Sequence, residues 1–253
     1  MHATERKRII MDLMEKNDSV DVISLSKHLD VSKVTIRKDL DELARKGLAL
    51  RTHGGALLAE KNKLVRLVSH TIAENTAEKK AICREALQYV PDGKSIIIDS
   101  GSTTVHLASL IADKQLTVIT NSVLVINELA EADSVELIIA GGLLRRPSLA
   151  AMGSPTRSYF SLIHADVLFL GASGFSLESG ISCTNLIEAE TKQAMIKSAS
   201  RVCLLADSSK FGNVSLAKVC DWSSIDVLIT NSLPPQACKA LVSQGVTVVT
   251  TRP

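Results

Sequence analysis

Aromatic residues are scarce: Phe, Trp and Tyr together make up 3% of the chain. Readers of single strands and of RNA stack bases on aromatic rings, so those classes are disfavoured. An excess of one charge is also missing. Twenty-nine Lys and Arg face 27 Asp and Glu, for a formal net charge of +2. Any attraction to a polyanion must therefore be local rather than a property of the whole molecule. No apolar run is long enough to cross a bilayer, and Met1 to Lys16 is charged throughout, without the apolar core of a signal peptide. The five cysteines (Cys83, Cys183, Cys203, Cys220, Cys238) are scattered, and no two have the close spacing of a zinc or redox motif. They read as buried thiols of a reducing compartment. Repeats and low-complexity segments are absent. The expectation is a cytoplasmic protein with no membrane partner, no metal and no cofactor.

What is present suits two domains. A chain of 253 residues with 45% apolar content can build one small and one ordinary core. Near the N-terminus, Ile9, Ile10, Leu13 and Met14 recur at helical spacing, as do Val22, Ile23, Leu25 and Leu29. Asp30-Val31-Ser32 reads as a tight connection, and Ser32 has the chemistry of an N-cap. Ile36, Leu40 and Leu43 then mark a buried stripe. Lys33, Thr35, Arg37 and Lys38 fall off that stripe near the helix start, where a recognition helix meets base edges and phosphates. A charged outer face is also what any solvated amphipathic helix shows, so the helix alone leaves both readings open.

Its surroundings favour the first. Two short helices joined by a tight turn form a helix-turn-helix. Gly47 is a stop signal. Leu48, Leu50 and Arg51 then make a strand that enters Gly54-Gly55, and Ala56, Leu57 and Leu58 lead out. That is a wing, from which Arg51 and His53 reach a phosphate or the minor groove. Within residues 31–53, Lys33, Arg37, Lys38, Arg45, Lys46 and Arg51 outnumber Asp39, Asp41 and Glu42, which is the local excess the bulk charge lacks.

Together these residues resemble the DeoR-type bacterial transcriptional regulators. Arg6, Ile10 and Met14 fill the first part of that family's signature, with Met14 a mild departure from Leu or Ile. Val31, Ser32, Thr35, Ile36, Arg37, Lys38, Asp39, Leu40 and Leu43 fill the second part, and His53-Gly54-Gly55 matches the wing. The resemblance implies double-stranded operator DNA as a partner. Ser32, Lys33, Thr35, Arg37, Lys38, Arg51, His53 and Gly54 are then the expected DNA-binding set.

Residues 1–57 read as this winged helix-turn-helix and 58–75 as a linker, partly helical because it contains neither Pro nor Gly. Residues 76–253 read as an α/β domain. Helical periodicity resumes over 78–90. Short aliphatic strands then end in small or polar loops and give way to helices: Ser95–Asp99, Leu116–Thr120, Val135–Ala140, Asp166–Leu170, Val202–Ala206, Asp226–Ile229 and Val246–Val249. The alternation predicts a mostly parallel sheet covered on both faces. Ligands bind outside the carboxyl ends of such strands.

The loop Asp99-Ser-Gly-Ser-Thr-Thr104 is the sharpest of these ends. Gly101 lets backbone approach a ligand, and Ser102, Thr103 and Thr104 set hydroxyls beside free amides, which suits a phosphate. It suits a capping turn equally. No Walker lysine follows, and the glycines are not those of a dinucleotide fingerprint. Lys210 either neutralises a phosphate or pairs with Asp207. Lys192, four residues after Glu188, reads as a surface ion pair or a ligand group. His106 either packs within its helix or lines the pocket.

The family resemblance extends here through D-S-G-S-T-T, T-N-S, G-G, G-A-S-G, E-A-E-T-K and D-S-S-K-F-G. It implies a domain similar to ribose-phosphate isomerase-like sugar-phosphate-binding folds, with a phosphorylated sugar effector whose binding weakens the grip on DNA. By matching blocks the effector falls against Asp99, Gly101, Ser102, Thr103, Thr104, Thr120, Asn121, Gly141, Gly142, Gly171, Lys192 and Lys210. Asn231 departs from the Asp often found there and receives no role. The resemblance also implies self-association, as dimer or tetramer. The expected function is a ligand-released repressor of a carbohydrate operon. A sugar-phosphate isomerase or hydrolase with an accessory head is the alternative, although no nucleophile-base-acid set stands out. An activator or effector-independent architectural protein is a third.

Overall fold

The computed structural model of the chain describes residues 3–17, 19–45, 48–52, 54–58 and 68–251. It divides into two compact units, Met1–Arg66 and Leu67–Pro253. Gly47, Lys46 and His53, which carried parts of the sequence reading, lie outside the described residues.

In the first unit, α1 (Ala3–Asn17), α2 (Val22–His28) and α3 (Lys33–Arg45) enclose one core. Ile10, Met14, Ile36 and Leu40 are fully buried in it. Ile23 is not part of that stripe: it stands 54% exposed in the first turn of α2. Asp21 caps α2, accepting from the amides of Ile23 at 2.9 Å and Ser24 at 2.8 Å. The turn into α3 holds Asp30 at φ +50°, a conformation that Asp tolerates better than most residues. Ser26 closes the turn by donating its hydroxyl to the Val31 carbonyl at 2.6 Å. The wing strands β2 (Ala49–Arg51) and β3 (Gly55–Leu58) are joined by β1 (Ser19–Asp21) in a three-stranded antiparallel sheet, order β1-β3-β2. The sequence pattern did not reveal β1, because three residues are too few to show an alternation.

The second unit opens with α4 (Val68–Ala73) and α5 (Thr76–Ala86). The helical periodicity over 78–90 ends sooner than expected, in a single 3₁₀ turn at Leu87–Tyr89. Seven parallel strands follow: β4 (Ser95–Ile98), β5 (Leu116–Thr120), β6 (Val135–Ile139), β9 (Ala165–Leu170), β12 (Ala199–Leu205), β14 (Val227–Thr230) and β15 (Thr247–Thr250). Their order is β15-β14-β12-β9-β4-β5-β6. The inner strands β4, β9 and β14 are buried on both faces and so read as apolar runs, whereas the edge strands β6 and β15 are partly exposed. Ile97, Leu168, Leu204 and Leu228 face one core, with Phe160 of α8 (Ser154–Phe160) and Met195 of α9 (Leu186–Lys197). Ile96, Ile98, Phe169 and Ile229 face the other, with Ile82 of α5, Leu107 of α6 (Val105–Ile111) and Val125 of α7 (Val123–Leu129). Leu241 of α10 (Pro235–Ser243) completes the first of these.

Two antiparallel additions were not legible beforehand: the hairpin β7 (Leu143–Arg145) and β8 (Ala150–Met152), and the sheet β10 (Gly174–Ser176), β11 (Gly180–Cys183) and β13 (Ala217–Cys220). The cysteines are free, and only three of the five are buried. Cys220 and Cys238 are half-exposed: Cys220 ends β13, and Cys238 lies on α10 beside the buried residues Ala237 and Leu241.

Candidate nucleic-acid interface and effector cleft

In the first unit, α3 is clamped from behind. Arg6 donates to both carboxylate oxygens of Asp39, at 2.5 and 3.1 Å, and both residues are buried. Lys7 pairs with Glu42 beside them. Ser32 accepts from the Thr35 amide at 3.1 Å and shares a hydrogen bond with its hydroxyl at 2.9 Å. These two side chains cap the helix start. Lys33, Arg37 and Lys38 are exposed and make no ion pair among the described residues. They are the cations left for a polyanion. Arg51 is otherwise engaged: it pairs with Asp41 of α3 at 2.7 Å and donates to the Gly55 carbonyl. It braces the wing against the helix.

The two wing glycines differ. A Cβ on Gly55 would lie 1.9 Å from the Val20 carbonyl oxygen, whereas one on Gly54 would meet open space. Gly55 is needed for the β1–β3 pairing. Gly54 is the exposed tip, with its carbonyl accepting from the Val22 amide at 2.9 Å.

In the second unit, the strand order reverses direction between β4 and β9. From β4 the chain runs outward through β5 and β6. It then returns to β9 on the other side of β4 and continues through β12, β14 and β15. Such a reversal opens the ligand-binding end of a parallel sheet. Asp99, at the end of β4, accepts from the Gly171 amide at 2.9 Å and from the Lys192 ammonium. Lys192 also donates to the Gly171 carbonyl at 3.1 Å and lies 3.8 Å from Glu188. Here the surface reading of Glu188 and Lys192 is overturned. Both are buried, because α9 turns this face toward the strand ends rather than toward water. Burial opposes the charge on Lys192, but Asp99 and Glu188 outweigh it and raise its pKa. Burial pushes the Glu188 carboxyl up in spite of Lys192.

The remaining hydroxyls divide into bracing and free. Thr104 donates to the Asp99 carbonyl and Thr120 to the Ile98 carbonyl, each at 2.7 Å, and both are fully buried. Thr103 is buried beneath Cys83, whose thiol donates to its carbonyl at 3.2 Å. Gly101 and Ser102 are half-exposed, and the Ser102 hydroxyl has no partner among the described residues. Asn121 donates to the Ala151 carbonyl at 2.7 Å, while its Oδ1 is buried without a donor. Gly141 and Gly142 connect β6 to β7. Gly142 sits at φ +156°, where a Cβ would fall 2.0 Å from the Thr156 hydroxyl.

Lys210 does not pair with Asp207. Asp207 Oδ1 accepts instead from Asn75 and from the Ser209 amide, both at 3.1 Å. Its Oδ2 is buried with no donor. Lys210 is half-buried and without an ion pair among the described residues. Asn231 accepts from the Ser208 amide at 2.7 Å and so steadies this turn.

Sequence reasoning missed Lys79 and Asn75. Lys79 is 1% exposed and donates to the carbonyls of Thr71 and Glu74, closing the end of α4. Its burial lowers its pKa, against the pull of Asp207. A lysine in a helix otherwise rich in charge gives no sign that it points inward. His106 is half-buried, its Nε2 unpartnered, and its pKa is lowered by burial and then by Lys79.

Two family models match this chain. The DeoR-like helix-turn-helix domain covers residues 6–62, and the DeoR C terminal sensor domain covers residues 74–232. The chain belongs to the DeoR family. Among curated DeoR relatives, the HTH-type transcriptional regulator GlpR of Haloferax volcanii is 36% identical over 98% of each chain. The glycerol-3-phosphate regulon repressor of Escherichia coli (strain K12) is 33% identical over 93% of each. Among solved structures, ribose 5 phosphate isomerase A from Neisseria gonorrhoeae covers 54% of this chain and 53% of its own, with a TM-score of 0.38 and 17% identity.

Proposed function

We propose that this DeoR-family protein is a sequence-specific repressor of a carbohydrate-utilisation operon, released from its operator by a phosphorylated sugar or sugar derivative. The observation that carries the DNA half is the outward face of α3. It presents Lys33, Arg37 and Lys38 without ion pairs among the described residues, on a helix clamped from behind by Arg6 and Asp39. Phosphate contacts by such cations give affinity that falls steeply with salt. On this reading Arg51, His53 and Gly54 belong to the wing that would meet the backbone of the duplex, with Arg51 bracing it against α3.

The effector half rests on the strand ends at β4 and β9. Gly101 and Ser102 offer backbone and a free hydroxyl, and Lys210 offers a cation. Asp99 and Lys192 hold the walls together, with Thr103, Thr104, Thr120, Asn121, Gly141, Gly142 and Gly171 shaping them. Catalysis is not supported by this arrangement, since Asp99 is locked to Lys192 rather than poised for proton transfer.

Release follows from linkage: an effector shifts DNA affinity only by binding one conformation better than another, typically by about 1–3 kcal/mol, or roughly 5- to 150-fold. Asn75, between the first two helices of the second unit, donates to Asp207, three residues before Lys210. A ligand at Lys210 would therefore bear on that joint. Self-association as dimer or tetramer would set two recognition helices at the half-site spacing of an operator. The test of the DNA half compares the promoter region upstream of the protein's own gene with random duplex, by anisotropy over a range of salt. A clear preference is expected, and equal affinity at every ionic strength contradicts it.

A further inference from the structure

The outward face of α3 carries one residue whose chemistry its neighbours do not share. Val34 is 72% exposed. Ile36, Leu40 and Leu43 of the same helix go to the core, and at 3.6 residues per turn Val34 lies on the opposite side from Ile36. Arg37 and Lys38, three and four residues further on, are its neighbours on that face. Asp41, next along, is drawn to the wing by Arg51. The face thus sets an apolar group among the exposed cations Lys33, Arg37 and Lys38 and ends in an acid held by the wing. A solitary valine on an ordinary surface calls for no explanation. This one sits on the face whose cations would meet a duplex. Its branched side chain is stiff at χ1, so little freedom is lost when it is packed. In the major groove, the apolar feature that a base pair displays is the C5-methyl of thymine.

We propose that Val34 is a specificity-determining residue that packs against a thymine C5-methyl in the operator. The inference rests on the operator-binding reading above and deepens it. Arg37 and Lys38 fix position through phosphates or purine edges, and Val34 selects thymine at one place beneath the start of α3. Burial of one methyl group is worth a factor of about four in affinity.

The experiment selects the preferred site of the full-length protein from a random duplex library. Each thymine of that site is then replaced singly by deoxyuracil, which removes only the methyl. Wild-type protein is expected to lose about four-fold in affinity at one such thymine. Val34→Ala protein is expected to bind the thymine and uracil duplexes alike at that position. Val34 is largely exposed, so this variant keeps the fold, and a circular dichroism melt checks that it does. If no thymine responds to loss of its methyl, or if Val34→Ala retains the full uracil penalty, the role of Val34 is overturned while operator binding stands. If selection enriches no sequence at all, operator binding itself fails and this inference fails with it.

Discussion

The ammonium of Lys192 and the carboxylate of Asp99 form a buried ion pair between groups 93 residues apart in the chain, at the carboxyl ends of the parallel strands. Both side chains are almost wholly inaccessible, at 3% and 1%. Removing one partner leaves an uncompensated buried charge, which typically costs about 3–5 kcal/mol. Lys192→Met should therefore lower stability by about that amount in urea unfolding. Combining it with Asp99→Asn should cost less than the two single changes added, since the pair acts as a unit. Strict additivity would show that the two residues do not depend on each other.

Much of this fold was legible because its signals are repetitive. Ile96-Ile97-Ile98 and Val167-Leu168-Phe169-Leu170 are continuous apolar runs, and each gives way to a loop rich in Gly and Ser. The recognition helix showed itself through Ile36, Leu40 and Leu43. What escaped notice was written in single residues. Lys79 and Lys192 look like surface lysines in a linear sequence, and only the packing of α5 and α9 turns them inward. Ser32 and Thr104 have hydroxyls that suit a ligand, yet both are used within the fold. β1, β7 and β8 are too short to carry a period.

The wing offers a contrast between adjacent residues. Gly55→Ala forces a Cβ against the Val20 carbonyl. Such overpacking costs about 1–3 kcal/mol, so this variant should lower the melting temperature of the DNA-binding unit and weaken operator binding. Gly54→Ala meets open space and should melt with the wild type. Equal melting of both variants would contradict the close approach of β1 to β3.

Asp21 gives the DNA-binding unit an acid-sensitive joint. Hydrogen bonds from Ser24, and then from the Ile23 amide, hold its carboxyl below the ordinary value of 3.8. A depressed carboxylate contributes stability that is present above its unfolded pKa and is lost as pH falls through the folded one. Asp21→Asn keeps a capping acceptor without the charge. The wild type should therefore lose stability relative to Asp21→Asn as pH falls below the ordinary Asp range, as read by thermal melts at stepped pH. Parallel curves would show that Asp21 does not titrate with folding.

Lys210 is the cation at the strand ends without an ion pair among the described residues. A charge-assisted hydrogen bond to a ligand is worth about 1.5–3 kcal/mol. Lys210→Ala should thus weaken sugar-phosphate binding by roughly ten-fold or more in calorimetry, while operator affinity without effector stays as in the wild type. An unchanged effector affinity would remove Lys210 from the cleft.

Occupancy of the strand ends at β4 and β9 is proposed to loosen the hold of α3 on DNA. A panel of sugar phosphates, with their unphosphorylated sugars as controls, titrated into a fluorescent operator complex of the full-length protein puts this to the proof. One phosphorylated member should lower operator affinity by roughly 5- to 150-fold, and its unphosphorylated counterpart should not. Operator affinity that no sugar phosphate alters would overturn effector release.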